Sequence, residues 1–268
     1  EANLITGLSP EKKNVTRCVS DVGVEVLGLV FTGLASAESV LTETDKELGV
    51  ILVDIGGGTT SVCIYLEGSC VYSAVIPIGA KKISDDIAIG LQISVDSAEK
   101  IKHFVSKSKA SKEEDEEKAG DEIDLLKLGI SEEVKNVSRK TIVEGIVRPR
   151  LNEIFTMVNQ VVKQSGFPGQ SPAGVVITGG GSLTVLATES CRRVMQLPAK
   201  IGLPTGLSGM VEEVDTPTSS AVVGLIIYGS KRKQETSSGG FNISGMIKGI
   251  PGQKVAGKVV DFIKSFLP

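Results

Sequence analysis

Apolar and polar positions alternate along the chain with two different periods. Over 11–22, Val15, Cys18, Val19 and Val22 recur at helical spacing behind Ser9-Pro10, and Gly23 stands where a helix C-cap belongs. Residues 24–31 are apolar and β-branched, the composition of a buried strand, and 35–41 follow as a short helix. The first forty residues therefore read as strand, helix, strand, helix, and the acidic stretch 43–47 reads as a surface connection. Val50-Ile51-Leu52-Val53 is apolar without alternation, as a strand covered on both faces requires, and it runs into Asp54-Ile55-Gly56-Gly57-Gly58-Thr59-Thr60. A second strand over 61–66 turns at Glu67-Gly68 into a third over 70–76, which predicts a hairpin.

From 84 to 104 the period becomes helical, and over 106–124 nearly every residue is polar with both charges mixed, which predicts a solvated insertion. Ile142, Ile146, Leu151, Ile154, Phe155, Val158, Val161 and Val162 mark 138–163 as a long amphipathic helix that absorbs Pro149 only as a kink or a break. Gly174-Val175-Val176-Ile177-Thr178 is another apolar strand, again ending in three glycines, Gly179-Gly180-Gly181, before Ser182. A buried helix is expected over 219–228 and a polar tether from 231 to 240. Beyond it, Val255, Val259, Phe262, Ile263, Phe266 and Leu267 recur at helical spacing, with Lys254, Lys258, Asp261 and Lys264 largely on the other face.

Composition narrows the function classes. The chain has 268 residues, 41% of them hydrophobic, which is ample for a core. Lys+Arg 29 against Asp+Glu 32 leaves a net charge of -3, so no broad basic face is available for coating a nucleic acid. The 4 cysteines, Cys18, Cys63, Cys70 and Cys191, include no C-x-x-C pair, and with a single histidine, His103, neither a zinc set nor a Cys-His or Ser-His pair can be assembled. Reduced thiols in a cytosolic protein are expected. No apolar run reaches the roughly 18 residues that span a bilayer.

Two glycine-rich turns at the ends of buried strands point to phosphate chemistry. Consecutive glycines permit φ > 0 and let a ligand reach main-chain N–H groups with no Cβ in the way. Thr59 and Thr60 add hydroxyls, and Asp54 is a carboxylate suited to a hydrated Mg²⁺. The competing reading is a tight turn without a ligand. Neither turn matches the P-loop or the dinucleotide fingerprint.

Asp54-Ile55-Gly56-Gly57-Gly58-Thr59-Thr60 resembles the second phosphate loop of the actin/Hsp70/sugar-kinase ATPase superfamily, and Val176-Ile177-Thr178-Gly179-Gly180-Gly181-Ser182 resembles its adenosine turn. Within that superfamily the chain resembles the FtsA family of bacterial cell-division proteins. Gly33-Leu34-Ala35-Ser36-Ala37, Ala98-Glu99-Lys100-Ile101-Lys102, Ile146-Val147-Arg148-Pro149-Arg150 and Ala221-Val222-Val223-Gly224-Leu225 carry that likeness further. The resemblance implies an α/β, actin-like ATPase fold with mixed sheets flanked by helices. ATP and Mg are its implied cofactors, held by Asp54, Gly56, Gly57, Gly58, Thr59, Thr60, Gly179, Gly180, Gly181 and Ser182, with Asp54 meeting the metal through water. Glu99 and Lys102 match the helix residues that meet ribose and base; the alternative for this i,i+3 pair is a surface salt bridge. His103 reads as an ordinary solvated side chain. Ser61 departs from the family, where an acidic residue often follows the glycine-threonine stretch.

The resemblance also implies a binding and polymerising protein, at most a slow ATPase. Its implied partners are an FtsZ-like tubulin homologue, copies of itself in an actin-like protofilament, other division proteins and an anionic membrane surface on the cytoplasmic side of the division site, with no nucleic acid. Residues 1–47 correspond to the end of a first lobe whose first phosphate loop does not appear, and 48–230 to a second lobe with an insertion subdomain at about 82–140. A linker spans 231–254, and 255–268 is the membrane-targeting amphipathic helix. There Val255, Val259, Phe262, Ile263, Phe266 and Leu267 would enter the headgroup boundary and Lys258 would meet anionic lipid. A terminal helix packed on its own core is the competing reading. Other open readings are an Hsp70-like or sugar-kinase-like ATPase and a related actin-fold scaffold of pilus assembly or rod shape.

Overall fold

A computed structural model describes residues 3–107, 122–130, 137–207 and 214–238. The chain divides into two units, Glu1–Tyr228 and Gly229–Pro268, and every strand among the described residues lies in the first. Three helices precede the sheet: α1 (Ser9–Ser20), α2 (Thr32–Val40) and α3 (Glu43–Leu48). The strand expected over 24–31 does not form. That segment is irregular and largely exposed, because no neighbouring strand among the described residues offers it a hydrogen-bonding edge. The acidic stretch taken for a connection is helical, since Thr42 and Asp45 close a reciprocal capping box: Thr42 Oγ1 accepts from the Asp45 N–H at 3.0 Å, and the Asp45 carboxylate accepts from the Thr42 N–H at 3.2 Å.

The hairpin is present as expected, with β2 (Thr60–Leu66) antiparallel to both β1 (Val50–Ile55) and β3 (Ser69–Ile76). Next come α4 (Lys81–Leu91) and α5 (Val95–Lys107), two helices where one helical stretch was legible. A short ribbon pairs β4 (Glu122–Ile123) with β5 (Val137–Ser138); most of the expected insertion lies outside the described residues. The long helix of 138–163 is realised as α6 (Arg139–Ile142), a five-residue π-helical turn over Val143–Val147, and α7 (Arg148–Gln164). Pro149 therefore falls in the first turn of α7, where its missing N–H leaves no hydrogen bond broken.

Strand β6 (Val175–Thr178) joins the sheet parallel to β1, and after α8 (Ala187–Met195) the three-residue β7 (Ala199–Ile201) adds parallel to β6. The order is β3-β2-β1-β6-β7. Helix α9 (Ser220–Ser238) continues through Ser238, so the backbone is helical over the first part of the expected polar tether. Val255, Lys258, Val259, Phe262, Ile263, Phe266 and Leu267, the residues of the expected membrane helix, lie outside the described residues.

The apolar run in β1 is explained by two cores, one on each face of the sheet. Ile51, Val53 and Ile55 point with Val62, Ile64, Val175 and Ile177 into the larger core, closed by α4, α5, α7 and α8. Val50 and Leu52 point the other way, with Val176, Cys63 and Tyr65, against Ala37, Val40 and Leu41. Helix α9 is drawn close to α2 at Gly224, where a Cβ would run into the backbone of Ala35.

Candidate functional site

Asp54 of β1 and Thr178 of β6 are register partners on parallel strands, so both glycine turns leave the same edge of the sheet side by side. Carboxyl ends of adjacent parallel strands are where open α/β sheets leave a crevice. A cavity of about 630 Å³ opens there, lined by Gly56 and Gly57 from the first turn, Gly180 and Gly181 from the second, and Glu99 and Lys102 from α5. Six of the residues singled out in the sequence thus meet at one cavity.

The two turns achieve this in different ways. φ > 0 occurs only in the second, at Gly179, with φ 79 and ψ 166, a region open essentially to glycine alone. A Cβ on Gly179 would also press on an Asp54 carboxylate oxygen and the Ile55 carbonyl, and one on Gly181 on the Ile55 side chain, so both glycines let the turn pass over the end of β1. The first turn needs no left-handed backbone, contrary to the sequence expectation. Gly56 N–H closes it on the Thr59 carbonyl at 2.9 Å, while the Gly56 and Gly57 carbonyls accept from Ala80 and Lys81 N–H at the start of α4, each at 2.9 Å. A Cβ at Gly57 or Gly58 would meet nothing within 4 Å, so these two positions border open space.

Several expected residues face inward instead of into the cavity. The Thr60 hydroxyl donates to the Ile78 carbonyl at 2.8 Å, and Ser182 Oγ donates to the Gly179 carbonyl at 2.7 Å; both are buried. Gly58 and Thr59 are exposed on the outer part of the loop. Asp54 is only 8% exposed, accepts from Ser36 Oγ of α2 at 2.6 Å, and lies behind Gly179. Burial pushes its carboxyl above the usual aspartate range, against the opposing hydrogen bond from Ser36.

The α5 wall is a tight polar cluster. Lys102 Nζ, itself buried, donates to Glu99 Oε2 at 2.8 Å and to Ser84 Oγ at 3.0 Å, and Ser84 Oγ donates in turn to Glu99. Burial raises the Glu99 carboxyl, but the Lys102 and Ser84 hydrogen bonds with the Lys102 charge outweigh it and hold the group below the usual glutamate range. His103 is exposed, as expected, and it also lines the cavity, with Nε2 3.0 Å from Glu99 Oε1. Its i,i+4 spacing from Glu99 was the available signal. Lys81, Lys107 and Thr218 also line it; Lys107 comes with α5, whereas tertiary packing brings Lys81 and Thr218 there. Among the described residues, no group of three or more His, Cys, Asp and Glu side chains is placed to hold a metal ion by itself.

The model of the family described as cell division protein FtsA matches residues 51–224. The chain belongs to the FtsA family. The FtsA of Pseudomonas aeruginosa is 36% identical over 247 residues, covering 91% of this chain and 57% of that relative, and the FtsA of Neisseria meningitidis serogroup B is 34% identical over 225 residues, covering 84% and 53%. This FtsA-family chain thus spans about half the length of the relatives it matches. Among solved structures, MreB 5 of Spiroplasma citri bound to AMPPNP superposes with a TM-score of 0.65 at 19% identity, covering 87% of this chain and 68% of the other. A PilM-PilN type IV pilus biogenesis complex gives 0.58 at 14%, covering 81% and 57%. The fold is that of the actin-like ATPases. Within that fold the match to the FtsA model separates this chain from the Hsp70-like and sugar-kinase-like readings.

Proposed function

We propose that the cavity between the two glycine turns binds ATP with its Mg²⁺, and that the protein acts in cell division as an actin homologue. In this reading it polymerises, joins other division proteins and tethers an FtsZ-like ring to the inner face of the cytoplasmic membrane. The observation that carries the nucleotide part is the convergence of Gly56, Gly57, Gly180, Gly181, Glu99 and Lys102 on one cavity. Gly57 and Gly58 fit a phosphate cradle, since a Cβ there would occupy otherwise open space. Glu99, braced by Ser84, Lys102 and His103, is suited to accept ribose hydroxyls. Asp54 does not itself line the cavity, being buried behind Gly179 and engaged by Ser36, so a Mg²⁺ there would be held chiefly by phosphate oxygens and water, with Asp54 meeting it through water. When bound, the metal would supply neutralisation of phosphate charge.

Residues 1–47 are assigned to the end of a first lobe, 48–230 to a second lobe with its insertion near 82–140, and 231–254 to a linker carrying the helix of 255–268. The apolar stripe through Val255, Val259, Phe262, Ile263, Phe266 and Leu267, with Lys258 beside it, is the support for the membrane part. Among the described residues no helix is long and apolar enough to cross a membrane. The direct test of the nucleotide site is Gly180→Leu, because a Cβ at Gly180 meets only Thr218 Cγ2, at 3.4 Å, and the longer side chain must then fill the cavity. Saturable binding of a fluorescent ATP analogue should be lost in the variant while its thermal transition is retained. Equal binding by both proteins would refute the site.

A further inference from the structure

Away from the nucleotide cavity, two of the cysteines are brought together by the hairpin. Cys70 of β3 is the register partner of Tyr65, and Cys63 lies two residues before Tyr65 in β2, so the two thiols are diagonal neighbours on one face of the sheet. Both pack against the core that α2 closes, Cys63 fully buried and Cys70 at its border. The two thiols are close enough to shift each other's titration in opposite directions. A β-bulge between Ile64 and Tyr65 interrupts the ladder at this point.

Cys70 is also the member with access to solvent. It lines a second cavity of about 860 Å³, with Asn3, Leu66, Phe167 and Gln170 among its neighbours. Asn3 Nδ2 approaches Cys70 Sγ at 3.7 Å, and the thiol reaches the Tyr72 carbonyl at 3.4 Å. The neighbouring Cys63 thiol holds Cys70 below the usual cysteine range against its burial, with Asn3 adding to the effect, and the same pairing together with burial pushes Cys63 up. A thiolate braced by donors beside a cavity is the more nucleophilic and oxidisable kind of cysteine.

We propose that Cys63 and Cys70 are a peroxide-sensitive thiol pair, in which Cys70 is oxidised first and Cys63 closes a disulfide across β2 and β3. The Cys70 thiolate attacks one oxygen of hydrogen peroxide: the S–O bond forms, the O–O bond breaks, and the departing hydroxide takes a proton to become water. Sulfur loses two electrons to the peroxide, leaving a sulfenic acid. The Cys63 sulfur then attacks the Cys70 sulfur, the S–OH bond breaks, and hydroxide leaves with the Cys63 proton as a second water. Two thiols and one peroxide thus give one disulfide and two waters. Diagonal Cα atoms in an antiparallel pair lie about 7–8 Å apart, beyond the Cα separation a disulfide bridges in a fixed backbone, so closure requires the bulged hairpin to move inward.

The inference is independent of the nucleotide reading, and peptide mapping tests it. The chain is treated with hydrogen peroxide near neutral pH, alkylated, and cleaved after glutamate, which cuts at Glu67 between the two cysteines. The expected product is a pair of peptides joined through Cys63 and Cys70 and separated by reduction, formed faster than any oxidation of the exposed, unpaired reference Cys18. In Cys63→Ala the sulfenic acid should persist on Cys70 and be trapped by dimedone. Cys70 reacting no faster than Cys18, or passing to sulfinic acid while Cys63 stays free in the wild-type chain, would overturn the proposal.

Discussion

Gly179 and Gly180 are adjacent, yet the same substitution should act on them in opposite ways. At Gly179, alanine would sit at φ 79, ψ 166, which costs about 1–3 kcal/mol for any residue with a Cβ. That Cβ also presses on the Asp54 carboxylate and the Ile55 carbonyl, and overpacking of this kind adds about 1–3 kcal/mol. The sum is roughly 2–6 kcal/mol, and at roughly 2–4 °C per kcal/mol for a chain of this size Gly179→Ala should lower Tm by roughly 4–24 °C. At Gly180 no positive φ is required, and the new Cβ meets Thr218 Cγ2 at an ordinary 3.4 Å, so Gly180→Ala should stay within about 1 kcal/mol of the parent. Thermal denaturation followed by circular dichroism reads both. A similar Tm for the two variants would refute the division of labour in the turn, in which Gly179 carries backbone strain and Gly180 keeps the cavity open.

Three further outcomes are expected. Gly224→Val should prevent α9 from seating on α2, since even a Cβ runs into the Ala35 backbone; a soluble variant with an unchanged Tm would contradict that contact. Lys102→Met removes the partner that keeps Glu99 ionised below its ordinary pKa, so the wild-type pair contributes stability above that value and loses it as pH falls through the depressed folded value. The Tm gap between wild type and Lys102→Met should accordingly narrow on acidification below the carboxylate range, and a gap independent of pH would remove the ion pair as its cause. Phe262→Glu places a charge in the apolar stripe of 255–267 and should release the chain from anionic vesicles in co-sedimentation, whereas equal pelleting of both proteins would assign the helix elsewhere.

What the sequence determined by itself is local. The unalternating run before Asp54 announces a strand buried on both faces, the Glu67-Gly68 turn announces a hairpin, and triple glycines at two strand ends announce paired crevices, because each signal lives in neighbouring residues. The same holds for the i,i+3 placement of Glu99 and Lys102 on α5. Where composition misled, the reasons differed: 24–31 has strand composition but gains no edge to pair with among the described residues, and 43–48 is helical through the local reciprocal cap of Thr42 and Asp45. Only the tertiary structure put β6 beside β1 and so set Gly56 and Gly180 on one cavity, since parallel pairing joins segments more than a hundred residues apart and no periodicity reports it. It also decided which polar groups are spent inside the fold, turning the hydroxyls of Thr60 and Ser182 to main-chain carbonyls and the Asp54 carboxylate to Ser36, because a buried donor or acceptor must find its partner wherever packing has left one.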